Sequence, residues 1–148
     1  MLRGVWRRIG VALARRVYEL PRTGETDLEG LAALFRRLGR VEYAVVILTV
    51  RGKDQFVQYS GGTTGIQLDL PLVTRDQQDR ESEIRAFFAE RGEDVVERRG
   101  TDGARFLDVD LPADADRLAR LTAGVVCEVY GAPRTVRLVV QSDGLPPA

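Results

Sequence analysis

The sequence predicts an α+β fold in which an antiparallel sheet, made of a three-stranded meander and a later hairpin, packs against helices. Two observations predict this class. Runs rich in β-branched residues follow one another across short glycine-containing turns, and strands joined in that way are antiparallel neighbours. Other segments place apolar residues at three- and four-residue steps, which is the period of a helix. The predicted order is helix, helix, three strands, helix, two strands, helix and a short strand.

The meander is predicted around residues 41–50, the densest β-branched run in the chain. This run is apolar at odd and even positions alike, so we expect a central strand that is covered on both sides. A turn at 51–54 leads to a second strand at 55–60, and a turn at 61–64 leads to a third strand at 65–73. Because a strand rather than a helix follows the two glycines of the second turn, we do not expect that turn to bind phosphate.

Three helices are predicted to pack on this sheet. The first follows Thr26 and Glu29, which fit a capping box. The second follows Thr74 and Gln77, which fit another. Its acidic first half suits a helix N-terminus, so we expect a solvent-facing surface there rather than a metal site. Residues 112–115 are predicted to open the third helix.

A second hairpin, formed by residues 93–99 and 104–111, completes the single predicted domain. The two glycines around a Thr-Asp pair between these strands are a strong turn signal. The domain is predicted to span residues 23–140 and to end in a short strand at 135–140. Residues 141–148 are expected to form a flexible tail.

Residues 1–22 are predicted to form a basic amphipathic helix ahead of the domain. They contain six arginines and one glutamate. Apolar residues recur along them at helical spacing, namely Leu2, Trp6, Ile9, Leu13, Val17 and Leu20. Two interpretations follow. The helix docks its apolar stripe on its own domain, or residues 2–20 contact a membrane surface or a partner.

The composition argues against several classes of function. The chain has no histidine, which removes the commonest general base and metal ligand. Its single cysteine, Cys127, falls inside a predicted helix beside Glu128, which does not favour a reactive thiolate. We therefore predict no catalytic residues, no metal and no cofactor. A lone cysteine fits a reducing compartment, so a cytoplasmic location is expected. The 22 basic and 22 acidic residues balance, so we expect no nucleic-acid binding.

The turns also predict which side chains share a face of the sheet. If Val50 faces Gln55 and Ser60 faces Gly65, one face forms the core. That face collects Val46, Leu48, Val57, Tyr59, Ile66, Leu68 and Leu70.

The opposite face, which we call the second face, mixes apolar and polar side chains. From the meander it holds Tyr43, Val45, Ile47 and Phe56, with Thr49, Gln58, Gln67 and Asp69 between them. Pairing Arg99 with Ala104 in the second hairpin adds Val95 and Phe106. A monomer rarely exposes such a patch without use. Three alternatives remain for what covers this face: the first helix, a second copy of the chain in a homodimer, or a client peptide. The predicted contact residues are Tyr43, Val45, Ile47, Phe56, Val95, Phe106 and Trp6.

The meander and the last helix resemble the peptide-binding chaperone superfamily that joins type III secretion chaperones to YbjN-like proteins. The resemblance lies in Tyr43-Ala-Val-Val-Ile-Leu-Thr-Val50, Asp54-Gln-Phe-Val-Gln-Tyr59, Gly65-Ile-Gln-Leu-Asp-Leu70 and the helix that ends Glu128-Val-Tyr-Gly131. It implies a mixed sheet packed on helices, a homodimer, and binding of extended segments of client proteins without ATP. It therefore favours a non-catalytic chaperone or adaptor; the alternative is a membrane-peripheral or regulatory protein that acts through its basic N-terminal helix.

Overall fold

Seven strands form one sheet in residues 20–147, the part of the chain that this computed structural model describes. In chain order they are β1 (Arg22–Thr26), β2 (Ala44–Val50), β3 (Phe56–Gly62), β4 (Gly65–Pro71), β5 (Val96–Arg99), β6 (Arg105–Leu111) and β7 (Leu138–Asp143). Across the sheet they lie in the order β1-β7-β2-β3-β4-β6-β5. The neighbours that pair within this part of the chain are all antiparallel. This confirms the α+β class and corrects the mixed sheet that the resemblance implied.

Four α-helices accompany the sheet in residues 20–147. They are α1 (Leu31–Leu38), α2 (Arg75–Asp79), α3 (Glu81–Glu90) and α4 (Ala115–Gly124), and α4 continues into a π-helical turn at Val125–Val129. Within this part of the chain, no helix has the length and apolar character needed to cross a bilayer. The predicted first helix, including Trp6, lies outside the described residues except for residues 20–22, and Arg22 begins strand β1 instead of ending a helix.

The helices pack on one face of the sheet, which we call the helix-side face, and the main core lies between them. Near its centre Phe35 of α1 packs edge-on against Tyr59 of β3, with ring centroids 4.7 Å apart. The Tyr59 hydroxyl is hydrogen-bonded to Thr122 Oγ1, which donates to the Leu118 carbonyl oxygen at 2.8 Å. The strand residues predicted for this core are all buried: Val46, Leu48, Val57, Tyr59, Ile66, Leu68 and Leu70.

The meander keeps its predicted faces although one register differs. Strand β3 continues two residues beyond the predicted end, so Ser60 faces Gln67 rather than Gly65. Because side chains alternate along a strand, a shift of two residues leaves each of them on its predicted face. The extension depends on Gly62, where a β-carbon would collide with the carbonyl oxygen of Val41.

The second hairpin differs from the prediction by one residue. Arg99 faces Arg105 instead of Ala104, because the turn closes with a hydrogen bond from the Gly100 N–H to the Ala104 carbonyl oxygen at 2.7 Å. A one-residue shift exchanges the two faces of β5. Val95 therefore packs against the helix-side core and not on the second face.

The strands at the two ends of the domain differ from the prediction: β1 was not predicted, and β7 overlaps the predicted terminal strand at 135–140 but is shifted toward the C-terminus. Residues 22–26, for which no strand was predicted, form the edge strand β1, so Thr26 ends a strand and does not cap a helix. In place of the predicted capping box, Asp27 Oδ1 accepts a hydrogen bond from the Gly30 N–H at 2.9 Å, and α1 begins at Leu31. Strand β7 runs to Asp143, so the first part of the predicted tail belongs to the sheet.

The second predicted capping box is confirmed, but the helix after it is divided. Thr74 Oγ1 accepts from the Gln77 N–H at 3.1 Å, and Gln77 Oε1 accepts from the Thr74 N–H at 3.2 Å. The helical backbone is interrupted at Arg80. Its guanidinium donates to Asp76 at 3.1 Å and to the Val129 carbonyl oxygen at 2.5 Å, which ties this break to the π-helical turn.

Candidate functional site

The second face carries four apolar side chains that are buried apart from the helix-packed core. They are Val45 and Ile47 of β2, Phe56 of β3 and Phe106 of β6. Ile47 is 0% exposed and Phe56 is 2% exposed. The buried apolar side chains of α1, α3 and α4 nevertheless all belong to the cluster on the helix-side face. The burial of the second face is therefore separate from the packing of these helices.

A row of cross-strand neighbours crosses the second face from β7 to β5. The registers of five strand pairs place these residues opposite one another in turn. In order across the sheet the row is Gln141, Ile47, Gln58, Asp69, Asp108 and Val96. Two aspartates thus stand directly opposite each other in the middle of two neighbouring strands, where like charges destabilise a sheet.

Hydrogen bonds connect the central part of this row. Gln58 Nε2 donates to Asp69 Oδ2 at 3.0 Å, and Arg98 Nε donates to Asp108 Oδ2 at 2.7 Å. The Arg98 guanidinium also lies over the Phe106 ring, 4.4 Å from its centroid. A charged group that stacks on an aromatic ring while it pairs with a carboxylate is held in one orientation. We call Gln58, Asp69, Asp108 and Arg98 the polar row.

The two carboxyl groups of the polar row are buried together. Asp69 is 4% exposed and Asp108 is 6% exposed. Burial raises the pKa of the Asp69 carboxyl to about 7, and the adjacent Asp108 carboxylate raises it as well, whereas Arg98 and the Gln58 amide act in the opposite direction. Asp69 therefore keeps its proton in mildly acidic solution and loses it near neutrality.

Three oxygen atoms of the polar row are buried and accept no hydrogen bond: Gln58 Oε1, Asp69 Oδ1 and Asp108 Oδ1. Buried acceptors in folded proteins nearly always have a donor. A proton held between the two carboxyl groups can satisfy only the carboxyl oxygens, and it is lost near pH 7. At neutral pH these three oxygens therefore have no hydrogen-bond donor. The polar row then contains two carboxylates and one guanidinium, that of Arg98.

The margins of the second face expose apolar side chains. In residues 20–147 the exposed large apolar side chains are Tyr43, 60% exposed, and Val96, 63% exposed. Tyr43 lines an open cavity of about 650 Å³ together with Ser60, Gln67 and Asp110. Those three residues are cross-strand neighbours on the second face. Val96 lies at the far side of the same face, on the edge strand β5. Both residues thus flank the buried apolar group.

The structure brings together most of the residues predicted to contact a partner. Five of the seven lie on the second face: Val45, Ile47, Phe56 and Phe106 in the buried group, and Tyr43 at its margin. Val95 lies on the other side of the sheet, for the reason given above. Trp6 lies outside the described residues.

The polar row is what the sequence interpretation missed. Gln58 and Asp69 were assigned to this face as polar residues between apolar ones, and Arg98 was not assigned to it because of the register shift in β5. A signal was present, since both aspartates stand mid-strand between apolar residues, in Leu68-Asp69-Leu70 and Leu107-Asp108-Val109. Aspartate is disfavoured inside strands, so two such positions indicate a polar cluster within a sheet.

Within residues 20–147, no group of three or more histidine, cysteine, aspartate or glutamate side chains is arranged to hold a metal ion. The chain matches no protein-family model, no curated protein and no solved structure.

Proposed function

We propose that this protein is a non-catalytic binding module that holds a segment of another polypeptide on the second face, acting without ATP as a chaperone or adaptor. One observation carries the proposal: the exposed large apolar side chains of residues 20–147, Tyr43 and Val96, flank an apolar group that lies outside the helix-packed core. Apolar side chains that stay exposed at the margins of a sheet face are candidates for contact with another polypeptide.

The second face offers both affinity and orientation to such a segment. Covering an exposed large apolar side chain contributes about 1.5–3 kcal/mol, so contacts with Tyr43 and Val96 favour binding of an apolar stripe. The polar row lies between them and carries excess negative charge at neutral pH. It therefore favours a basic residue within the bound segment. The partner that fits is an amphipathic segment with one apolar side and an adjacent basic group.

The resemblance to type III secretion and YbjN-like chaperones supports the same proposal, since those proteins bind extended segments of clients. A second copy of this chain is a related occupant, because a homodimer would cover the same margin. We place the protein in the cytoplasm in this proposal, since Cys127 is the only cysteine and fits a reducing compartment.

The test uses the aggregation of reduced insulin, followed by light scattering without nucleotide. We expect the full chain to suppress aggregation and the double variant Tyr43→Ser, Val96→Ser to lose most of that effect. Both side chains are exposed, so the far-UV circular dichroism spectrum should not change. The matched control is Ala89→Ser, an exposed position on α3 on the other side of the sheet, which should behave like the wild type.

Suppression that is equally strong in the double variant would reject the second face as the binding surface, and no suppression by the wild type would reject the chaperone activity. The molar mass of both proteins, measured by light scattering over a range of concentrations, shows whether a second copy of the chain occupies the second face. A wild-type dimer that dissociates in the double variant would assign the face to a second copy of the chain.

A further inference from the structure

The segment before Leu20 enters the described part of the chain at one end of the row that contains the two aspartates. The Leu20 carbonyl oxygen accepts a hydrogen bond from Gln141 Nε2 at 3.1 Å. Gln141 faces Ile47 across the strands and so belongs to the second face. The next residue, Pro21, accepts from the Ser142 N–H at 3.3 Å. Leu20, to which residues 1–19 are joined, therefore lies beside the second face at the β7 end of the row.

The polar row has a defined chemical deficit. Its buried oxygens Asp69 Oδ1, Asp108 Oδ1 and Gln58 Oε1 lack donors, and Arg98 Nη2 lies 3.8 Å from the first of them. Arg98 is already bonded to Asp108 Oδ2 and stacked on a ring. A second guanidinium matches this deficit, because it offers several N–H donors in a planar fork that pairs with two carboxylate oxygens at once.

We propose that the Asp69–Asp108 carboxyl pair, with the Gln58 amide oxygen, receives an arginine guanidinium, and that residues 1–19 of the same chain supply it by lying across the second face. The proposal rests on the proposed function in that it concerns the same surface. If residues 1–19 occupy the second face, a partner has to displace them before it can bind. The partner expected to do so is an apolar segment that carries an arginine.

The segment has the composition and the length for this role. Besides its apolar stripe it carries Arg3, Arg7, Arg8, Arg15 and Arg16. Neighbouring strands are about 4.8 Å apart, so Asp108 lies about 19 Å across the sheet from Gln141. A helix rises about 1.5 Å per residue, so one that starts at Leu20 passes Asp108 about 13 residues earlier in the chain. Arg7 and Arg8 stand at that distance, with Arg3 one turn farther along.

The experiment uses the single tryptophan of the chain, Trp6, which reports on the segment directly. Acrylamide quenching of Trp6 fluorescence is measured in the full-length wild type and in the double variant Asp69→Asn, Asp108→Asn. We expect a shielded Trp6 in the wild type and severalfold stronger quenching in the double variant. The matched control is Asp110→Asn, an exposed aspartate on the same face of β6, which should leave quenching unchanged.

Variants in the segment itself keep the test independent of the fold of the sheet. One or more of Arg3→Gln, Arg7→Gln and Arg8→Gln should reproduce the stronger quenching, whereas Arg22→Gln in β1 should not. Shielding should also increase as the pH rises from 5.5 to 8.5, because Asp69 loses its proton in that range and the pair gains charge for the arginine.

Quenching that is equal in the wild type, the aspartate variants and the arginine variants would overturn this inference. Sedimentation with vesicles containing phosphatidylserine provides a second arm: a wild type that binds them with Trp6 exposed in solution would assign the segment to a membrane surface instead. The two proposals fail separately. If the aspartate variant suppresses insulin aggregation as well as the wild type and its Trp6 quenching is unchanged, only this inference is rejected. If Trp6 is shielded in the wild type but the wild type does not suppress aggregation, only the proposed function is rejected.

Discussion

Side chains alternate between the helix-side face and the second face along the same strands, yet the two faces differ in what surrounds their buried side chains. Strand β2 sends Val46 and Leu48 to the helix-side core and Val45 and Ile47 to the second face, and all four are buried. On the helix-side face the Tyr59 hydroxyl is paired with Thr122, and the Tyr130 hydroxyl is the buried side-chain atom of the helix-side core in residues 20–147 that has no hydrogen-bond partner. The second face holds two carboxylic acids and unpaired acceptors. The first face is built for stability, and we interpret the second as built to receive another chain segment.

The largest expected effect compares one buried residue on each face. Leu68→Ala should lower the free energy of unfolding by about 2–5 kcal/mol, because Leu68 is fully buried among strands and helices that cannot close the cavity. Ile47→Ala should cost less, about 1–2 kcal/mol, because Ile47 lies outside the core packed by α1, α3 and α4, and the loss is smaller where packed helices do not hold a cavity open. Urea denaturation measures both. Equal losses would show that the two faces are closed equally rigidly.

The next prediction concerns the Asp69 carboxyl and pH. In the unfolded chain this group titrates near 3.8, and in the folded protein near 7. The folded state therefore binds more protons between these values, so this group's contribution to stability is full below about pH 4 and is lost as the pH rises through about 7. Asp69→Asn removes that loss. The variant should match the wild type near pH 4 and exceed it by up to about 4 kcal/mol at pH 8, because each unit of the pKa shift corresponds to about 1.4 kcal/mol.

Urea denaturation of both proteins at several pH values tests this expectation, with Asp110→Asn as the control because that aspartate is exposed. A difference between Asp69→Asn and the wild type that does not change with pH would contradict the raised pKa. If the pH dependence is absent in the wild type but returns when Arg3, Arg7 and Arg8 are replaced by Gln, an arginine of residues 1–19 neutralises the carboxyl pair, as proposed above.

The smallest effect comes from the buried polar contact on the helix-side face. Tyr59→Phe removes one hydroxyl, and Thr122 Oγ1 keeps its bond to the Leu118 carbonyl oxygen. The cost should be about 1 kcal/mol, and it should not vary between pH 5 and 8, since burial raises the pKa of Tyr59 far above that range. A stabilising effect, measured by urea denaturation, would mean that the polar groups of the two faces do not differ as described.

Much of the fold follows from local patterns in the sequence. The β-branched run in β2 and the alternation in β4 predicted strands, and the Thr74 and Gln77 pair predicted a helix start that is present. The faces of β2, β3, β4 and β6 were also predictable, because alternation assigns every second side chain to one side. Strand β1 could not be predicted, since Arg-Thr-Gly-Glu-Thr contains no apolar residue and its pairing comes entirely from its neighbour β7.

The sequence by itself determined which side chains share a face, because that depends only on the period of two along each strand. Only the tertiary structure decided which faces of different strands meet. It placed β7 between β1 and β2, brought Gln141 into line with the carboxyl pair and turned Arg98 toward Asp108. These relations depend on register between strands that are far apart in the chain. A turn one residue longer, as at Gly100–Ala104, is enough to change them.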